Sequence, residues 1–142
     1  MDGAYMICEM FSYYATQGIS LLDRLDELYK TYGYCLNTLH SYEFDGSAGF
    51  ARMQSIMQAF RGGIKEFGGK KVVRLLDYVQ GLDGLPKSDV LKFLLEDNCS
   101  LVVRPSGTEP KLKIYISVSA ENKEMAEKVE DEIAKTAEKW IC

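Results

Sequence analysis

The sequence predicts an α+β fold: an antiparallel sheet of about four strands with helices packed on one face, preceded by two helices. Three observations predict it. Apolar residues recur at helical spacings of three and four in several separate stretches. In the second half, strand-like runs follow one another with no helical pattern between them, which implies antiparallel pairing through short connections. The run from Leu112 to Val118 alternates Leu112, Ile114, Ile116 and Val118 with Lys113, Tyr115 and Ser117, the period of a strand with one core face and one wetter face.

In chain order, Ile7, Met10, Phe11 and Tyr14 mark one face of a first helix from Ala4 to Tyr14, which Gln17-Gly18 ends. Ser20 offers an N-cap oxygen to a second helix carrying Leu21, Leu22, Leu25, Leu28 and Tyr29, with Asp23 near its positive end and a stop at Tyr32-Gly33. The aromatic-rich stretch from Tyr34 to Phe44 reads as an extended segment or strand, closed by the turn signal Asp45-Gly46. Residues 1–38 therefore read as a helical unit and linker, and residues 39–142 as the main domain. Ser47 is placed to cap a third helix with the stripe Phe50, Met53, Ile56, Met57 and Phe60, stopped by Gly62-Gly63. That stripe reads as core-facing, since polar residues stand opposite. Strand-like runs follow at Val72 to Val79, Val90 to Glu96 and Leu101 to Arg104. A closing amphipathic helix from Asn122 to Ile141 has Met125, Val129, Ile133, Ala137 and Trp140 on its stripe.

With 142 residues, 46% of them apolar, the chain is long enough to bury a core of its own. A formal net charge of -4 excludes a general polyanion binder, so no nucleic-acid partner is expected and any anion site must be local. Cys8, Cys35, Cys99 and Cys142 stand apart and His40 is the only histidine, too sparse a set for a thiolate or imidazole metal cage. His40 has no obvious carboxylate partner in the sequence and reads as a structural or surface histidine rather than a general base. No apolar run approaches the roughly 20 residues of a membrane span, and the first residues lack a secretory pattern, so the expectation is a reducing, cytoplasmic setting without a membrane partner.

The stretch richest in chemistry lies between two strands, at Arg104-Pro105-Ser106-Gly107-Thr108-Glu109-Pro110-Lys111. Arg104 carries a planar fork of donors that matches two phosphate oxygens at once. Ser106 and Thr108 supply hydroxyls on either side of Gly107, whose missing Cβ lets consecutive N–H groups converge on an anion. Lys111 and Lys113 add positive potential as auxiliary candidates, while Glu109 opposes it and could orient Arg104 or a loop amide. On spacing alone, the same residues also describe a plain turn with Arg104 as a solvated strand end.

This octapeptide, followed by Leu112-Lys113-Ile114-Tyr115, resembles the phosphate-binding loop of the α-D-phosphohexomutases, a family of four-domain enzymes that includes phosphoglucomutases and phosphomannomutases. The likeness extends along the chain: Asp2-Gly3 and its helix resemble the end of the third domain, and Leu21-Leu22-Asp23 through Tyr32-Gly33-Tyr34 the link to the fourth. The resemblance implies that Arg104, Ser106, Gly107 and Thr108 hold the phosphate of a hexose phosphate that is not being transferred. Gly107 and Thr108 would contribute backbone N–H groups. It also implies that catalysis belongs to the missing N-terminal domains, which carry the phosphoserine loop and an Asp-x-Asp-x-Asp magnesium site. Neither pattern occurs here, so no catalytic or metal residue is expected and the fragment alone should be inactive. The linker and the Gly49 to Arg61 region resemble the longer bacterial phosphoglucomutases, which points to glucose phosphates. Phosphomannomutase, phosphoglucosamine mutase and a free-standing phosphometabolite sensor are the alternatives.

Overall fold

A computed structural model describes residues 1–46, 48–82 and 84–141. The expected cap at Ser47 and the thiol of Cys142 lie outside the described residues. The backbone forms two compact units, residues 1–34 and 35–142.

In the first unit, α1 (Asp2–Thr16) and α2 (Leu21–Tyr32) form where the apolar periodicity places them. Ser20 builds a full capping box with Asp23: the Asp23 N–H donates to Ser20 Oγ at 3.0 Å, and the Ser20 N–H donates to Asp23 Oδ2 at 3.1 Å. The Ser20 hydroxyl, which donates to Asp23 Oδ2 at 2.7 Å, and then the Ser20 N–H hold the Asp23 carboxyl below the usual carboxylate range. Neither helix buries a residue, and Tyr5, Met6, Ile7 and Phe11 of α1 stand exposed.

The second unit is a sheet of six strands, not about four, in the order β1-β6-β5-β4-β3-β2. They are β1 (Tyr34–Glu43), β2 (Glu66–Phe67), β3 (Lys70–Asp77), β4 (Leu91–Leu95), β5 (Ser100–Pro105) and β6 (Lys111–Ala120). The consecutive pairs from β2 to β6 are antiparallel. Two strands make the difference. The aromatic run after Gly33 is a full strand whose even-numbered residues are the half-buried ones, and β2 is too short to show any period. The strand expected to reach Val79 stops at Asp77, whose side chain accepts the Val79 N–H at 3.0 Å and turns the chain into a short 3-10 helix at Tyr78–Gln80.

Register explains the core. Phe93 pairs with Leu101, Leu101 with Ile116, Leu91 with Val103 and Val103 with Ile114, so the apolar sets of three strands lie side by side on one face. Helices α3 (Ala48–Arg61) and α4 (Lys123–Glu138) contact the sheet at β5 and at β6 and β2, adding Met53, Met57, Phe60, Ile133 and Ala137 to the fully buried set. Phe60, Phe67 and Phe93 meet at its centre, with ring centroids 5.1 to 6.3 Å apart.

Both stripes in this unit differ from expectation at their ends. Phe50 is not core but 45% exposed; α4 buries Ala126 while Met125 stands half in solvent, and past its end at Glu138 Trp140 is half exposed and Ile141 buried. His40 does have a carboxylate partner. Its Nε2 lies 2.6 Å from Glu130 Oε1, which also accepts from Thr38 Oγ1 at 2.7 Å, tying β1 to α4. Among the described residues no helix is long and apolar enough to cross a membrane.

Candidate phosphate-binding loop

β5 delivers Arg104 to the end of the sheet, and a five-residue loop returns the chain to β6 at Lys111. The loop is closed by backbone bonds: the Ser106 N–H donates to the Lys111 carbonyl at 2.7 Å and the Lys111 N–H to the Glu109 carbonyl at 2.7 Å. Arg104 stands opposite Lys113 in the register, so two cations occupy neighbouring positions on adjacent strands. Arg104 is exposed, and among the described residues no side chain pairs with its guanidinium.

A cavity of about 370 Å³ opens beside this loop. Arg104, Pro105, Ser106 and Gly107 form one wall, and Phe50, Met53 and Gln54 of α3 face them. Ser88, Asp89 and Val90 complete it. The exposed Phe50 thus has a place at the rim, which explains its departure from the core stripe. The structure brings Arg104, Ser106 and Gly107 together on this cavity. Thr108 is exposed on the loop outside its wall, Lys113 stays on β6, and Lys111 is directed elsewhere. Lys111 Nζ lies 3.0 Å from Glu43 Oε1 and 3.1 Å from Glu109 Oε2. Glu43 first, then Glu109, raise its pKa above the ordinary lysine value. Glu109 therefore pairs with Lys111 rather than orienting Arg104.

Gly107 is not among the glycines with positive φ, and a Cβ built there meets nothing within 4 Å. The turn itself does not require glycine, contrary to the steric reason for it read from the sequence.

One feature of the cavity had no sequence signal. Asp89 is negative, yet it sits on the wall shared with Arg104. Arg61, at the end of α3 and partly buried, neutralises it: Nη2 lies 2.5 Å from Asp89 Oδ1, while Nε lies 2.8 Å from Asp77 Oδ2. The hydrogen bond from Arg61 holds the Asp77 carboxyl below its usual range, and the two carboxylates raise the guanidinium in turn. Among the described residues no three His, Cys, Asp or Glu side chains converge on a point that could hold a metal ion.

The sequence pattern described as "Phosphoglucomutase/phosphomannomutase, C-terminal domain" matches residues 45–136. The chain belongs to that family. Among curated relatives, phosphoglucomutase of Staphylococcus aureus is 38% identical over 117 residues, covering 74% of this chain and 21% of the relative. Phosphoglucomutase of Staphylococcus epidermidis is 31% identical over 148 residues, covering 93% and 27%. The chain thus spans about a fifth to a quarter of the length of these phosphoglucomutases. Among solved structures, the open form of the exocytosis-sensitive phosphoprotein parafusin, a phosphoglucomutase from Paramecium, aligns with a TM-score of 0.53 at 20% identity, covering 86% of this chain and 22% of that one. This last likeness speaks to fold alone. The family match encloses α3, the loop from Arg104 to Lys111 and most of α4, so both walls of the cavity belong to the phosphoglucomutase/phosphomannomutase C-terminal domain.

Proposed function

We propose that this chain is the substrate-phosphate grip of a phosphoglucomutase. In this reading residues 39–142 clamp the non-transferring phosphate of a hexose phosphate, and residues 1–38 are the end of the preceding domain and its linker. The observation that carries it is the Arg104 fork, without a side-chain partner among the described residues, beside Ser106 and Gly107 on one cavity wall. A phosphate dianion there gains two parallel bonds from one guanidinium plus hydroxyl and amide donors, each charge-assisted bond contributing about 1.5–3 kcal/mol. Thr108 joins through its backbone N–H when the loop closes on the ligand.

The parent reaction moves a phosphoryl group between an enzyme serine and two positions of one sugar. A sugar that must be presented in two orientations needs a single fixed handle, and a loop that holds whichever phosphate is distal supplies one. Chemistry, and the magnesium that neutralises the transferring phosphoryl group, then belong to the rest of a longer cytoplasmic enzyme. The isolated 142-residue chain binds without turnover. The staphylococcal relatives, all phosphoglucomutases, support glucose over mannose.

The test is a titration of the ¹⁵N-labelled chain with glucose 1-phosphate. The expected result is saturable amide shifts at Ser106, Gly107 and Thr108, with weak affinity because the other domains are absent. Shifts confined to another surface would remove the loop from the site.

A further inference from the structure

Glu43, the last residue of β1, and Phe44 after it meet the loop, and neither lines the cavity. The Phe44 N–H donates to the Pro110 carbonyl at 2.9 Å, and Glu43 reaches Lys111 Nζ at 3.0 Å. Lys111 in turn holds Glu109 at 3.1 Å, while its carbonyl accepts the Ser106 N–H at 2.7 Å. One lysine therefore joins the β1 end, the acidic residue of the loop and the amide of a residue on the cavity wall. The anchor is itself fixed. The Phe44 ring is buried, with the Arg52 guanidinium 5.5 Å from its centroid, and a Cβ on Gly49 would come within 2.5 Å of the Phe44 carbonyl oxygen.

We propose that Glu43 is a positioning residue for the anion loop. It acts through Lys111, whose charge is spent on holding the loop in shape rather than on the ligand. This rests on the phosphate-grip reading for its functional consequence, although the brace is a property of the unliganded chain. A flexible loop must be ordered at the moment of binding, and each side chain or segment ordered in advance removes that cost. Both carboxylates of the brace stand well into solvent, at 68% and 57% exposure, so the individual ion pairs are weak and the backbone bonds share the task.

The roles of brace and charge predict opposite signs. Glu43→Gln makes the loop region more positive by one unit, so electrostatics alone tightens phosphate binding. Loss of the brace weakens it. The double variant Glu43→Gln/Lys111→Gln restores the original net charge with the brace absent. The experiment uses the full 142-residue chain with inorganic phosphate and, separately, glucose 1-phosphate as probes. Amide hydrogen exchange at Phe44, Ser106 and Lys111 is recorded without ligand. Expected are exchange about threefold faster at these three amides in both variants, and weaker binding of both probes, by about threefold, at unchanged melting temperature. Tighter binding by Glu43→Gln with the double variant unchanged, or exchange unaltered in both, overturns the proposal. If neither probe shifts the loop amides of the parent chain, the phosphate-grip reading fails, while the exchange data still decide the brace.

Discussion

Arg61 and Asp89 are joined at 2.5 Å, so the carboxylate that lines the same cavity as Arg104, next to the proposed phosphate grip, is neutralised by the protein itself. Arg61→Met keeps the buried stem and deletes the fork that serves both Asp89 and Asp77. Its expected cost is about 2 kcal/mol of stability by urea denaturation, from lost bonds between charged groups. It should also weaken phosphate binding, because Asp89 then faces Arg104 unpaired. Adding Asp89→Asn should restore the binding but not the stability.

Arg104 presents the reverse case, a cation with no protein partner among the described residues. Arg104→Ala should leave the melting temperature of the chain nearly unchanged, as expected of an exposed residue. In the complete enzyme it should lower kcat/KM for the hexose phosphate at least tenfold, the loss of one or two bonds to a charged group. Arg104→Lys should recover only part, since an ammonium cannot reproduce the fork. Full activity in Arg104→Ala would show that the phosphate is held elsewhere.

How far the sequence carried these conclusions depended on distance along the chain. β6 was legible because Leu112, Ile114, Ile116 and Val118 alternate within one short window, and α2 because Ser20 and Asp23 stand three residues apart. The loop between β5 and β6 was legible as a turn because Pro105, Ser106 and Gly107 are contiguous. What escaped was set by pairings between remote segments. Arg61 meets Asp77 and Asp89 across separations of 16 and 28 residues, and His40 meets Glu130 across 90. Phe67 is fully buried in a two-residue strand, where periodicity has nothing to act on. Phe50 fits the helical stripe by spacing alone, and only the position of the β5–β6 loop beside α3 reveals it as cavity wall.

Two glycines that look alike in sequence should respond differently to alanine. At Gly68 φ is +55° and a Cβ would sit 2.6 Å from the Ile133 nitrogen and 2.7 Å from the Glu132 carbonyl carbon, so Gly68→Ala strains the backbone and pushes against α4. A loss of about 2–3 kcal/mol by thermal or urea melting is expected. At Gly107 nothing stands within 4 Å and φ is not positive. Gly107→Ala should be neutral or stabilise by up to about 1 kcal/mol, through a less flexible unfolded chain. Glucose 1-phosphate binding should nevertheless fall, since the added methyl takes up room at the cavity wall. Unchanged binding would mean that the ligand does not approach Gly107.

The last prediction concerns acid. Arg61 holds the Asp77 carboxyl below its usual range, so in the unfolded chain this group binds a proton at a higher pH than in the folded one. Where the unfolded state binds more protons, stability rises with pH. The contribution of Asp77 is thus fully present above the unfolded aspartate value of about 4 and is lost as pH falls through the folded value. Asp77→Asn removes the titrating group while leaving a side chain that can still accept the Val79 N–H. The stability gap between the parent chain and Asp77→Asn, measured by urea denaturation, should therefore be widest near neutral pH and shrink on acidification below about pH 4. A gap that stays constant down to pH 3 would show that the ion pair with Arg61 contributes no pH-dependent stability.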